Sequence, residues 1–451
     1  MSEIITLTIC LAPYVSETQL KQLRHIIVGL LGMCGRVTML GLSRWTADGG
    51  SYRTIQRWFQ AHVDWGLVLW IIIKMHLLNR NGEYLLAGDD VVVSKAGKKT
   101  YGVGRFYSSI AGRPISSLSF LTLSLIDVAQ RRSYPLAVAQ HLPAAKTAPP
   151  AKTVHSTENT DTVAPSAKRG RGRPKGSKNH AKPAPVLSAE LTLLQTLIQQ
   201  VLARIAPLPV KHLVLDGFFG NYPTTGMVRG CGLHLISKLR HDAALYFPYT
   251  GPKPKRGPTP RYGDKLTYKA LPEQTRCSSV TEGRFRIDTY QLTLWHKDFH
   301  DLLNVVVVLK TDNRTHKSSH VVLFSTDLCL TAVQLVDYYS LRFQIEFNFR
   351  DAKQYWGLED FMNVSPLAVT NAVGLAFLMV NLSAVLLVTH RTDSPDFSIL
   401  DLKALFRARR YLHETIFALP EALPPHIVSA IWQRFTALGA IRPLHKFRNA
   451  A

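Results

Sequence analysis

YYSLRFQIEFNFRDAKQYWGLEDF, residues 338–361, carries Tyr339, Arg342, Glu346 and Lys353 at a spacing that decides how the rest of the chain is read. At about 100° per residue the four side chains fall within an arc of roughly 60° on one helix face. One carboxylate then sits among a phenol and two cations along about two turns. A phosphodiester backbone and a divalent cation satisfy such a face; a protein core does not.

The overall charge agrees with a nucleic-acid partner. Lys and Arg number 54 against 31 Asp and Glu, a formal charge of +23, and such an excess draws polyanions through counterion release. With 451 residues and 46% hydrophobic content the chain buries a sizeable core, and size excludes a small disulfide-stapled scaffold. Cys10, Cys34, Cys231, Cys277 and Cys329 are odd in number and contain no CxxC pair, so they read as reduced thiols of a cytosolic protein. No cation precedes an apolar run at the N-terminus, which argues against a cleaved secretory signal. Residues 367–388 form an uncharged, largely apolar stretch of 22. They are expected to be a core helix, with no membrane partner, because Thr370, Asn371, Asn381 and Ser383 interrupt them.

Residues 1 to about 75 read as helices. Arg53 and Arg57 share a stretch with Trp58 and Phe59, so one face packs while the other is free to meet phosphates. From Tyr84 come three β-rich runs, YLLAGDDVVV, YGVGRFYSS and SLSFLTLSLIDV, expected to form an antiparallel meander. A polar Ala/Pro/Lys/Ser/Thr linker follows over 143–185 and is expected to be disordered. Its KRGRGRPKGSKN segment, residues 168–179, resembles the AT-hook, which would place Arg171 and Arg173 in a narrow minor groove. A helix near 189–205, the strand of KHLVLDGFFG, a helix over 224–231 and the strand LHLISKLR give an α/β crossover pattern. FRIDTYQLTLW, NVVVVLK and HVVLFSTDL supply further strands before the helix that bears Glu346.

Two-metal phosphoryl transfer needs carboxylates converging from separate elements. Asp90 in GDDVVV, Asp216 at the end of LVLD and Glu346 occur in a suitable order. Each by itself also reads as a turn residue, a cap or an ion-pair partner.

With these residues the chain resembles the DDE transposases of bacterial insertion sequences, in particular the insertion-sequence-4-type group with its Tyr-Arg-Glu-Lys signature. The likeness covers most of residues 35–390. It implies an α/β fold: a ribonuclease-H-like mixed sheet with flanking helices, a β-rich insertion and a helical N-terminal region. The implied organisation is a DNA-binding region over 1–78, a catalytic domain over 79–142 and 186–392 with the insertion at about 244–328, and a helical C-terminal region over 393–451. The resemblance makes Asp90, Asp216 and Glu346 the metal-binding catalytic triad, with Mg2+ as cofactor and Mn2+ as substitute. Tyr339, Arg342 and Lys353 would grip the transposon end. Double-stranded DNA would be the partner of a homodimer in a synaptic complex, in the bacterial cytoplasm near the nucleoid. The competing reading is a non-catalytic DNA-binding protein derived from such an enzyme. Strand alternation puts Asp89 and Asp90 on opposite faces without saying which meets the metal. Asp90 is taken from the resemblance, although Val91 follows it where the group usually has Thr or Ser.

Overall fold

The computed structural model describes residues 1–439 apart from 47–48, 80, 109–110, 144–185, 207, 256, 393 and 421–422. Arg171 and Arg173 therefore lie outside the described residues.

Five helices open the chain: α1 (Ser2–Thr8), α2 (Glu17–Gly32), α3 (Met39–Trp45), α4 (Tyr52–Phe59) and α5 (Trp65–His76). Strands β1 (Tyr84–Ser94), β2 (Gly104–Ser108), β3 (Arg113–Asp127) and β4 (Arg132–His141) follow. After the linker come α6 (Ala189–Arg204), β5 (His212–Val214), α7 (Tyr222–Gly230) and β6 (His234–Leu239). Six further strands are β7 (Leu245–Pro248), β8 (Tyr262–Lys265), β9 (Arg276–Glu282), β10 (Phe285–His296), β11 (Leu303–Asp312) and β12 (Ser318–Ser325). The chain then continues through α8 (Ala332–Leu341), α9 (Gln344–Tyr355), α10 (Pro366–Arg391), α11 (Ile399–Phe417) and α12 (Pro425–Gly439).

β4, β3 and β1 pair antiparallel, and β1, β5 and β6 pair parallel, with α7 as the crossover between the last two. That order, 4-3-1-5-6 in chain numbering, is the ribonuclease-H-like arrangement expected from the sequence. The sheet runs on from β6 through β12, β11 and β10. The expected meander of three consecutive strands does not form: β1 pairs with β3 rather than β2, the short β2 lies beyond β3 on its first third, and a fourth strand, β4, takes the rest. RSYPLAVAQH hid β4 because Pro135 removes a ladder donor. The strand accepts it by pairing with β3 alone and shifting register between Leu123 and Ser124.

The two sheet faces bury different layers. Leu85, Ala87, Val214 and Ile236 pack against Leu335, Tyr338, Leu341 and Ile345 of α8 and α9. Leu86, Leu123, Leu213 and Leu235 pack against Leu194, Ile198, Met227 and Val228 of α6 and α7. A third cluster joins the N-terminal helices to α10 and α11.

The apolar α10 is the core helix its polar interruptions imply: Asn371 receives the Trp65 indole N–H at 2.8 Å and donates to the Phe59 and Ala61 carbonyls, while Asn381 donates to that of Pro135. A Cβ at Gly374 would lie 2.1 Å from the Trp65 ring, so only glycine lets α5 and α10 approach this closely. Just beyond the Trp356 cap of α9 comes Gly357, where φ is +77° and a Cβ would strike Val37 at 2.3 Å. The loop beyond it is tied down by Lys95, which donates to the Glu359 and Phe361 carbonyls, both at 2.9 Å.

Candidate active site

β1 delivers two adjacent carboxylates to opposite sides of the sheet. Cross-strand partners share a face, so Asp89 goes with Thr122, next to the Ala87–Ser124 pair, and Asp90 with Leu121. Ser124 receives a long 3.5 Å contact from the Asn348 amide of α9, which identifies the Asp89 side as the α9 side. Leu121 belongs to the cluster packed on α6. Asp216 follows β5 by one more alternation beyond Leu215, whose N–H still pairs with the Ile236 carbonyl. By period two it shares the face of Val214, and hence of Asp89 and α9.

The signature does not lie on one unbroken helix. Tyr339 is on α8, Arg342 caps it, and Glu346 and Lys353 are on α9. The junction keeps right-handed dihedrals but tightens to i→i+3 hydrogen bonds, Phe343 N–H to Ser340 O at 3.1 Å and Glu346 N–H to Phe343 O at 3.1 Å. No Pro or Gly causes this. Arg342 at the break reaches the sheet, where its Nη1 donates to Asp89 Oδ2 at 2.6 Å and its Nη2 lies 3.5 Å from Glu346 Oε1.

Arg342 is the most enclosed of the three, its side chain 17% exposed against 21% for Asp89 and 44% for Glu346. Burial pushes Asp89 above the ordinary carboxylate range; Arg342 and the Asp90 N–H pull it back, and Asp216 and Glu346 push it further up. Both other acids are therefore within electrostatic reach of Asp89. Burial likewise raises the Tyr339 phenol, with Arg342 opposing and Asp216 and Asp89 adding. Tyr339, Arg342, Glu346, Asp89 and Asp216 thus form one electrostatic neighbourhood. Lys353 stands apart, donating to the Val92 carbonyl at 2.9 Å and pairing with Glu359 at 3.1 Å.

Asp90 meets different company. Burial raises its carboxyl to about 8, Glu190 in the first turn of α6 is the next cause, through charge and a shared hydrogen bond, and the charges of Asp89 and Asp216 add to it. Its Oδ1 is buried without a partner. The sequence reading missed Glu190 because nothing in local spacing connects residue 90 to residue 190.

Asp216 also caps the turn after β5, its Oδ1 accepting from Phe218 N–H at 3.0 Å. Arg53 and Arg57 are exposed on α4, while Trp58 and Phe59 on the same helix are buried. Among the described residues no group of three His, Cys, Asp or Glu side chains is close enough to hold a metal as arranged. The donor chemistry nevertheless fits a hard divalent cation: Asp89, Asp216 and Glu346 are all oxygen donors on one face.

The family described as DDE superfamily endonuclease matches residues 10–301. That span contains Asp89, Asp90 and Asp216 and stops before Glu346. Among solved structures the chain is similar to the cryo-EM structure of a piggyBac transposase synaptic complex with hairpin DNA, at 10% identity and a TM-score of 0.39, over 93% of this chain and 76% of that one. At that score the likeness decides nothing about the site. No curated protein sequence matches the chain.

Proposed function

Because the chain belongs to the DDE superfamily endonuclease family, we propose that it is a DNA transposase of the insertion-sequence-4-type group, cutting the ends of a mobile element and joining them to a target. The observation that carries this reading is the Asp89–Arg342–Glu346 bridge, on the sheet face that also receives Asp216. We assign the acidic triad to Asp89, Asp216 and Glu346. Asp90, the position the sequence resemblance favoured, projects toward α6, and its carboxyl holds a proton near neutral pH.

The triad would hold Mg2+, with Mn2+ as substitute; when bound, the cations neutralise charge building up at the scissile phosphate. Until then Arg342 offsets the negative charge of Asp89 and Glu346. As DNA enters, the guanidinium, which gives Nη1 to Asp89 and Nη2 to Glu346, is in place to turn both nitrogens to one phosphate, a group it grips bidentately. Tyr339 keeps its phenolic proton and offers it as a donor to a phosphate oxygen. Lys353 holds α9 against the end of β1 and adds positive charge beyond the triad. Arg53 and Arg57 present a cationic face on α4 for flanking duplex, and Arg171 and Arg173 of the linker would add minor-groove contacts. Synapsis of two element ends calls for a homodimer on DNA, acting in the bacterial cytoplasm.

The deciding experiment is cleavage of duplex carrying the element's own terminal repeats, in Mg2+, by the parent chain and by Asp216→Ala and Glu346→Gln. Loss of nicking with retained DNA binding is the expected result. Undiminished cutting by either variant defeats the catalytic assignment.

A further inference from the structure

The side of α9 turned away from Glu346 borders a cavity of about 310 Å3, enclosed by β4, α9, α10 and the start of α11. Asn348 and Asp351 face it, rotated roughly 140–160° from Glu346 along the helix. The volume is at the lower end of small-molecule sites, about 300 to 1,000 Å3.

Its charge is unbalanced. Arg132, Arg350 and Arg391 line it, with Asp351 as the only lining carboxylate among the described residues. Arg350 already takes Asp351, through Nε at 3.0 Å and Nη2 at 2.9 Å. Neither Arg132 nor Arg391 forms an ion pair with a carboxylate among the described residues. Arg391 is anchored instead by its Nε, which donates to the Phe397 carbonyl at 2.9 Å. Its guanidinium holds its proton less tightly than usual, through burial first and the charge of Arg132 second. Two guanidiniums facing one partly enclosed space repel unless an anion lies between them. Tyr134, Phe347 and Tyr355 supply aromatic wall beside these cations. A phosphate bearing an aromatic base would use both features.

We propose that this cavity is a phosphate-ester site, in which Arg132 and Arg391 clamp one phosphate group of a nucleotide or of a DNA strand on the far side of α9 from the acidic triad. Since α9 carries both sites, filling the cavity also braces the helix that presents Glu346. The cavity is independent of the cleavage reading, because binding alone tests it.

The test uses the full chain, with dAMP and a labelled 20-base-pair duplex as probes. If the ligand is a free nucleotide, millimolar dAMP raises the melting temperature of the parent by several degrees and leaves Arg391→Gln unmoved. If it is DNA backbone, dAMP has no effect, and Arg132→Gln and Arg391→Gln each flatten the slope of log affinity against log salt by about one. Asp351→Asn guards against a folding artefact in the arginine variants, since it removes the opposing charge and is expected to tighten whichever probe binds by about threefold. The proposal is overturned if dAMP leaves the parent unmoved and folded Arg132→Gln and Arg391→Gln keep its salt slope. Failure of both probes here, with cleavage intact, removes this site and leaves the transposase assignment standing.

Discussion

Asp89 and Asp90 are neighbours on one strand and both feel Asp216, yet their main charged partners have opposite signs. On the α9 side Asp89 meets Arg342 at 2.6 Å, which supports a charged carboxylate even though burial opposes it. On the α6 side Asp90 meets Glu190, and burial and that second acid raise it to about 8, so it carries a proton at neutral pH. A buried carboxylate close to another acid is a poor cation ligand unless it gives up that proton; one already facing a guanidinium needs only a change of counter-ion. Strand alternation produces this asymmetry, and the layers packed on each face give it chemical meaning.

The comparison breaks most visibly in catalysis. Asp89→Asn and Glu346→Gln are each expected to lower Mg2+-dependent cleavage by roughly 10³-fold or more, the scale of losing an interaction made in the transition state. Asp90→Asn should stay within about tenfold of the parent. Cleavage rates on the terminal-repeat duplex decide it, and the reverse ranking would restore Asp90 to the triad.

Arg342→Gln comes next. It leaves Asp89 and Glu346 facing each other without their cation, at a cost of about 1–3 kcal/mol, less than for a fully buried pair because Glu346 is nearly half exposed. Denaturant melts should show this loss, and Mn2+ should restore more stability to the variant than it adds to the parent.

The third prediction concerns the other face and turns on pH. The folded-state pKa of Asp90 lies above its ordinary value, so the folded chain binds the extra proton between about 4 and about 8. Stability from this group is complete at low pH and is lost as pH rises through about 8. Asn cannot ionise, so Asp90→Asn should melt above the parent by a few degrees at pH 8.5, with the gap closing by pH 5. Melting temperatures at those two pH values test it; an equal gap at both would mean that the proton on Asp90 does not set stability.

Most of this architecture was legible as periodicity. YLLAGDDVVV, KHLVLD and LHLISKLR read as strands because apolar runs ended in turn residues, and the 26-residue α10 read as a core helix because asparagines interrupted it. β4 escaped because its proline is tolerated only through its pairing on one side, a tertiary fact. The break at Arg342 escaped because no Pro or Gly marks it. Sequence order also put Asp216 and Glu346 forward as candidates, but placing Asp89 and Asp90 on their separate faces required knowing that α9 covers one face and α6 the other. Glu190, a hundred residues from Asp90, has no local signal at all.

The smallest effect lies at the far end of the same helix, where Glu359 stands to Lys353 as Asp89 stands to Arg342. Lys353 reaches the Val92 carbonyl at 2.9 Å and Glu359 at 3.1 Å, so part of its charge is taken up before any phosphate arrives. The ion pair is partly exposed, with Glu359 at 44%, and a pair of that kind contributes about 0.2–1 kcal/mol. Removing the acid should therefore release Lys353 toward DNA by a similar amount. Glu359→Gln is expected to tighten duplex binding about twofold to threefold at low salt and by less as salt rises, because the gain is electrostatic. Anisotropy titrations across that range measure it. Unchanged affinity would mean that Lys353 serves α9 and β1 alone, leaving Arg342 as the signature's cation for DNA.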